Sequence, residues 1–175
     1  MIGIDIFDRS DERTKKRSLA DLRFILADDE VAFDNPNIFW LYWTAKEAVF
    51  KASRNPNSPF FPKKISITFE EKSLQFSSKY DGLIFQGQCL LTNDYIMSYC
   101  QLPHLKTIYE VIHNGIKNWS EHIRSIATSD LQNTDENLKI TTDADGLPMI
   151  SNVNLPICFS HHHHHGAYIY PLWHR

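Results

Sequence analysis

Hydrophobic and polar positions change rhythm several times along the chain, and each rhythm predicts an element. Ile2 to Phe7 alternates apolar with small or acidic residues, which predicts a short strand. Arg9 to Arg17 is highly charged and predicts an exposed stretch. Ala27 to Glu30 reads as a helix start, with Asp28 as N-cap and acids in the first turn, and the stretch 33–37 with Pro36 breaks it. Ile38 to Ser53, IFWLYWTAKEAVFKAS, is the strongest helical segment, with three alanines and no Gly or Pro. The prolines of NPNSPFFP (55–62) stop it. Lys64 to Phe69, Ser73 to Ser77, Leu83 to Leu91 and Tyr95 to Gln101 predict an antiparallel meander, with Asp81-Gly82 as a turn. Lys106 to Ala127 returns to helical spacing through Ile108, Val111, Ile112, Ile116, Trp119, Ile123 and Ile126. Ser129 to Asn137 predicts a loop, Leu138 to Thr142 a strand and Asp145-Gly146 a turn. Val153 to Ser160 and Ala167 to Tyr170 predict the last strands. This order predicts an α+β fold, an antiparallel sheet packed on a long helix. A single domain over 1–175 is expected, with lobe-like parts at about 1–105 and 106–175.

Composition narrows the function classes. At 42% hydrophobic and 13% aromatic the chain can bury a core, so it is not a disordered or fibrous sequence. Its 18 Lys+Arg against 21 Asp+Glu give a net charge of −3, without the basic surplus of a nucleic-acid binder. No run approaches the roughly 18 apolar residues that span a bilayer, so no membrane association is expected. Met1-Ile2-Gly3-Ile4 meets Asp5 at once, unlike an export leader, and a cytoplasmic location is expected. Cys89, Cys100 and Cys158 are widely spaced and predict neither a disulfide framework nor a zinc knuckle.

Three places can carry chemistry. Asp5 sits inside the apolar strand Gly3-Ile4-Asp5-Ile6, where a carboxylate needs a partner, a metal or a helix end to cap. Trp40, Trp43, Glu47 and Lys51 share one helix face that turns from aromatic to charged. That face is either a cleft wall or a surface Glu47–Lys51 pair. Third, Ser160 and His161 end an apolar strand at the run His161 to His165. Five histidines can bind metal without defined geometry, so His162 to His165 is expected as a loop. Phosphate-loop, dinucleotide-binding, nucleophile-elbow and zincin motifs do not occur.

Together the three places resemble the 4′-phosphopantetheinyl transferase superfamily. The carriers are Gly3 to Ile6, then Trp43, Lys46, Glu47, Ala48 and Lys51 in W-x-x-K-E-A-x-x-K, then Gly146-Leu147-Pro148 followed by Phe159-Ser160-His161. Arg23-Phe24-Ile25-Leu26 ahead of Glu30 is similar to the family's intervening segment. The motif order is that of the short holo-acyl-carrier-protein synthases. Lys64 to Gln101 and Ile123 to Tyr170 resemble parts of the two-lobed surfactin-synthetase type, so the chain looks like a shortened, permuted two-lobed form. It departs from the family at Phe7, where the two-lobed enzymes carry a second acid, and at Leu147, where they carry a lysine. Asp8 matches an acid of the short synthases.

The resemblance implies transfer of 4′-phosphopantetheine from coenzyme A to a serine of an acyl, polyketide or peptidyl carrier protein, dependent on Mg²⁺. It implies Asp5 and Glu47 as metal ligands, Glu47 and Lys51 as catalytic residues, and Lys46, Ser160 and His161 as coenzyme contacts. A non-catalytic carrier-binding homologue is the alternative, with a metal module built on the histidines as a third reading. A carrier is acidic, and the segment Arg9 to Arg23, with Arg13, Lys15, Lys16 and Arg17, is the expected docking face.

Overall fold

The computed structural model describes residues 1–12, 17, 19–55, 58–113 and 118–173. Strand β1 (Ile2–Asp8) opens the chain, followed by the short α1 (Leu19–Leu22) and the sixteen-residue α2 (Ile38–Ser53). The meander β2 (Ser66–Glu70), β3 (Gln75–Tyr80), β4 (Leu83–Leu91) and β5 (Tyr95–Gln101) follows. These strands form one antiparallel sheet in the order β1-β5-β4-β3-β2. Asp81 and Gly82 both adopt positive φ, 53° and 76°, which matches the two-residue turn expected between β3 and β4.

Helix α2 lies across one face of this sheet. Its Leu41, Ala45, Ala48, Val49 and Ala52 are fully buried against Phe76, Phe85, Ile96 and Cys100. The approach is closest at Gly3, where a Cβ would stand 1.9 Å from the Ala48 carbonyl oxygen. No other residue type fits there, so a glycine sets how near α2 comes to β1.

The second half gives β6 (Thr107–His113), α3 (Trp119–Thr134), β7 (Ile140–Thr142), β8 (Pro148–Ile150), β9 (Leu155–Pro156), β10 (Cys158–His162) and β11 (His165–Pro171). They form two three-stranded sheets, β10-β11-β6 and β7-β8-β9. Helix α3 packs on the β10-β11-β6 sheet through Trp119, Ile123 and Ala127. Ile2, Ile4 and Ile6 meet Met97, Ala167 and Ile169, so β1 is buried on both faces.

The α+β expectation holds, with corrections. Lys106 to Ala127 is not one helix. Its first part is the strand β6, registered with β11 from His165↔His113 to Pro171↔Thr107. The β-branched and aromatic residues of TIYEVIH fit that pairing, and backbone bonds to β11 override the helical spacing. Helix α3 then continues to Thr134, into the expected loop, because Leu131 extends the stripe of Ile123 and Ala127. Ala27 to Glu30 is a turn, not a helix start. There the Glu30 carboxylate accepts the N–H groups of Ala27 and Ile67, both at 2.6 Å. Ile116, Arg13, Lys15 and Lys16 lie outside the described residues.

Candidate active site

Strand alternation divides β1. Gly3 and Phe7 face α2, and Asp5, between them, shares their side. On α2, the step from Glu47 to Lys51 is one turn, which stacks both side chains over Asp5. The Lys51 ammonium lies 2.7 Å from Asp5 Oδ1 and 3.9 Å from Glu47 Oε1. From the other side, Ser160 on β10 donates to Asp5 Oδ1 at 2.8 Å. The Ser160 oxygen accepts from the Lys51 ammonium at 3.2 Å and from the Ile6 N–H at 3.2 Å. Asp5 therefore neither caps a helix nor stands alone. It is the meeting point of the three motif-bearing elements, within one chain.

A cavity of about 440 Å³ opens over this point. Asp5, Glu47, Lys51, Ser160, His161 and His162 line it, with Phe7, Trp40, Trp43 and Phe159 as the aromatic part of the wall. The aromatic-to-charged face of α2 is thus a cleft wall and not a surface pair. Phe7 stacks on Trp40, with ring centroids 3.7 Å apart and planes 9° apart. Phe7, the departure from the two-lobed pattern, thus forms part of an aromatic wall.

The electrostatics are asymmetric. Burial, and then the neighbouring Asp5 carboxylate, pushes Glu47 up to about 7, against the pull of Lys51 and the Trp43 indole. Burial acts against the Lys51 charge, but Asp5 and Glu47 outweigh it and lift the ammonium above its ordinary value. Burial, and then Lys51, lowers His161. Its ring lies parallel to Trp119, at 6.3 Å and 12°. Trp119 gave no signal in the sequence beyond its place in an apolar stripe.

A second cavity, of about 460 Å³, adjoins the first and shares Lys51 and Phe159. Arg54 and Arg124 line it, Leu147 is part of its wall, and no carboxylate among the described residues contributes. Arg54 is held 2.8 Å from Asp143 Oδ2, and Asp143 Oδ1 accepts the Leu147 N–H at 2.8 Å. This ties the Gly146-Leu147-Pro148 turn to the end of α2. Lys51 thus has Asp5 and Glu47 on one side, and Arg124 and the Arg54–Asp143 pair on the other.

Lys46 is not brought to this site. It is fully buried, and its ammonium binds Glu30 at 2.6 Å and the carbonyls of Pro62 and Ile65 at 3.1 and 2.5 Å. Burial pushes its charge down, and Glu30 opposes that shift. The expectation that Lys46 contacts the coenzyme is corrected, because α2 turns it away from the cavity. Asp8 also points away from Asp5. It accepts from Ser10 N–H at 2.7 Å and His164 N–H at 2.9 Å, and burial is outweighed by these bonds, which hold its carboxyl well below the ordinary range. Nor are His162 to His165 a free loop, since His162 and His165 pair across the β10–β11 hairpin.

The family model for the 4′-phosphopantetheinyl transferase superfamily matches residues 1–100. The chain belongs to that superfamily. The match covers β1, α2 and the meander, and so Asp5, Glu47 and Lys51, whereas Ser160 and His161 lie beyond it. Among curated proteins and among solved structures none matches significantly. Membership of the superfamily supports a transferase that moves phosphopantetheine. No helix among the described residues is long and apolar enough to cross a membrane.

The superfamily generally uses Mg²⁺ and coenzyme A. Asp5 and Glu47 suit a hard divalent cation. They are oxygen donors brought close enough to share a proton, and a cation relieves that repulsion. Among the described residues no third acidic, histidine or cysteine side chain joins them, so waters and phosphate oxygens would complete the shell.

Proposed function

We propose that the chain transfers 4′-phosphopantetheine from coenzyme A to a carrier-protein serine. The observation that carries this reading is the convergence of Asp5, Glu47, Lys51 and Ser160 at one cavity of one chain. The serine oxygen bonds to the β-phosphorus as the bond from that phosphorus to the bridging oxygen breaks. The products are phosphopantetheinyl-serine and adenosine 3′,5′-bisphosphate. Mg²⁺, when bound by Asp5 and Glu47, supplies charge neutralisation at the phosphates. Glu47, on the cavity wall beside Asp5 and Lys51, is placed to take the serine proton. Lys51 neutralises the leaving bisphosphate, and His161 lies where a hydrogen bond to a phosphate can form. Ser160 orients Asp5 and Lys51 and, on the cavity wall, stays within reach of the coenzyme. The cationic second cavity suits the nucleotide end, with Arg124 and Arg54 offsetting the charge that Leu147 does not provide.

The motif order supports a shortened, permuted two-lobed form that works as a single chain. For the carrier, a cavity of about 240 Å³ behind Phe7 and Trp40 presents Arg9 and Arg17. Arg17 lies over the Phe39 ring at 5.2 Å, and Arg9 donates to the Thr92 carbonyl. These cations support docking of an acidic carrier beside the site. The Phe7–Trp40 stack favours a second reading, a homologue that binds carriers without modifying them. Incubation with coenzyme A, Mg²⁺ and an apo carrier, read by mass spectrometry, separates the two. A carrier mass gain of one phosphopantetheine arm is expected. Carrier binding without a mass gain selects the second reading.

A further inference from the structure

Strand β1 uses its two edges differently. Along one it pairs backbone to backbone with β5. Along the other it lies beside β10, yet the two strands belong to different sheets. The N–H groups on that edge donate to side chains. Ile4 N–H meets the Cys158 sulfur, Ile6 N–H meets Ser160 Oγ at 3.2 Å, and Asp8 N–H meets His162 Nδ1 at 3.2 Å. Steps of two residues on β1 match steps of two on β10, as strand periodicity requires. Ser160 is the middle rung, and it is also the residue that holds Asp5.

His162 is the last rung. Because Nδ1 accepts the Asp8 N–H, the neutral ring carries its proton on Nε2, which faces Asp11 Oδ2 at 3.7 Å. Phe7 packs against the same ring at 4.9 Å. The hairpin tip beyond it is fastened separately. His165 Nδ1 lies 2.9 Å from Asp8 Oδ2, and the Trp119 indole donates to the His163 carbonyl at 2.7 Å. A register is thereby set at both ends of the segment that bears Ser160 and His161.

We infer that His162 is a positioning residue, whose Nδ1 locks the register of β10 on β1 and so places Ser160 against Asp5. Its effect on catalysis rests on the transferase reading, whereas its effect on the Asp8 amide does not. Asparagine puts an oxygen where Nδ1 stands, two bonds beyond Cβ. Glutamine puts it one bond too far, and leucine removes it.

The test is amide exchange at Asp8, read by NMR, together with steady-state transfer kinetics for these variants. In His162→Leu the Asp8 amide exchanges about tenfold faster. The same variant loses about tenfold in kcat, while KM for coenzyme A stays within about twofold. His162→Asn restores both values to near wild type. His164→Ala, which changes only an exposed side chain, alters neither. Unchanged exchange in the leucine variant, or equal damage in the asparagine variant, overturns the inference. If the leucine variant does not fold, the glutamine variant must show the defect that asparagine lacks. Exchange that follows this pattern, in proteins that transfer nothing, keeps the register claim and removes the transferase reading instead.

Discussion

Two neighbouring charges on α2, Lys46 and Glu47, meet opposite surroundings. About 100° of rotation separates consecutive residues of a helix, enough to send one side chain into the core and the next into the cavity. Lys46 is fully enclosed, and Glu30 and two carbonyls satisfy its ammonium. Glu47 keeps part of its surface open, and its charge is opposed by Asp5 and helped only in part by Lys51. A buried charge with a complete set of partners belongs to the scaffold. A charge whose partners conflict can change state, and such a group is available to chemistry.

The largest expected effect comes from breaking the scaffold side. Lys46→Met leaves the Glu30 carboxylate buried without its cation, with only the Ala27 and Ile67 N–H groups on it, so denaturant unfolding should show a loss of about 3 kcal/mol. The folded fraction should keep its KM for coenzyme A. An unchanged stability with a raised KM would return Lys46 to the coenzyme site.

A smaller effect is expected at another carboxylate pair, remote from the cavity. The Tyr168 hydroxyl donates to Glu110 at 2.8 Å and also contacts Asp130. Burial, and then the Glu110 carboxylate, pushes Asp130 up to about 6. Its folded value lies above its ordinary one, so the fold favours the protonated form. That stabilisation is present in acid and is lost as the pH rises through about 6. Unlike Asp5 and Glu47, this pair has no lysine between its members among the described residues. Asp130→Asn should therefore raise the thermal midpoint at pH 8 by a few degrees, about 2–4 °C at most, and leave it unchanged at pH 4. A fall at pH 8 would show that Asp130 and Glu110 do not repel each other in the fold.

The parts of the site that obey local periodicity were legible in the sequence. Helical spacing placed Trp40, Trp43, Glu47 and Lys51 on one face, and an acid in an apolar strand marked Asp5. The partner of Lys46 was hidden, because Glu30 reaches it from a turn that resembles a helix start. β6 was hidden because Ile108, Val111 and Ile112 satisfy helical spacing as well as a strand, and only pairing with β11 decides between them. In the histidine run, identical neighbours concealed different roles. His162 accepts from β1, and His165 meets Asp8.

Glu47 is the group proposed to take the serine proton during transfer. The most direct measurement is the rate of adenosine 3′,5′-bisphosphate release, with coenzyme A, Mg²⁺ and apo carrier, for wild type and Glu47→Gln at matched folded concentrations. Loss of the base and of a metal ligand should slow release by about 10³-fold, with the thermal midpoint no lower than wild type. Release by the glutamine variant at a rate near that of wild type would contradict the account.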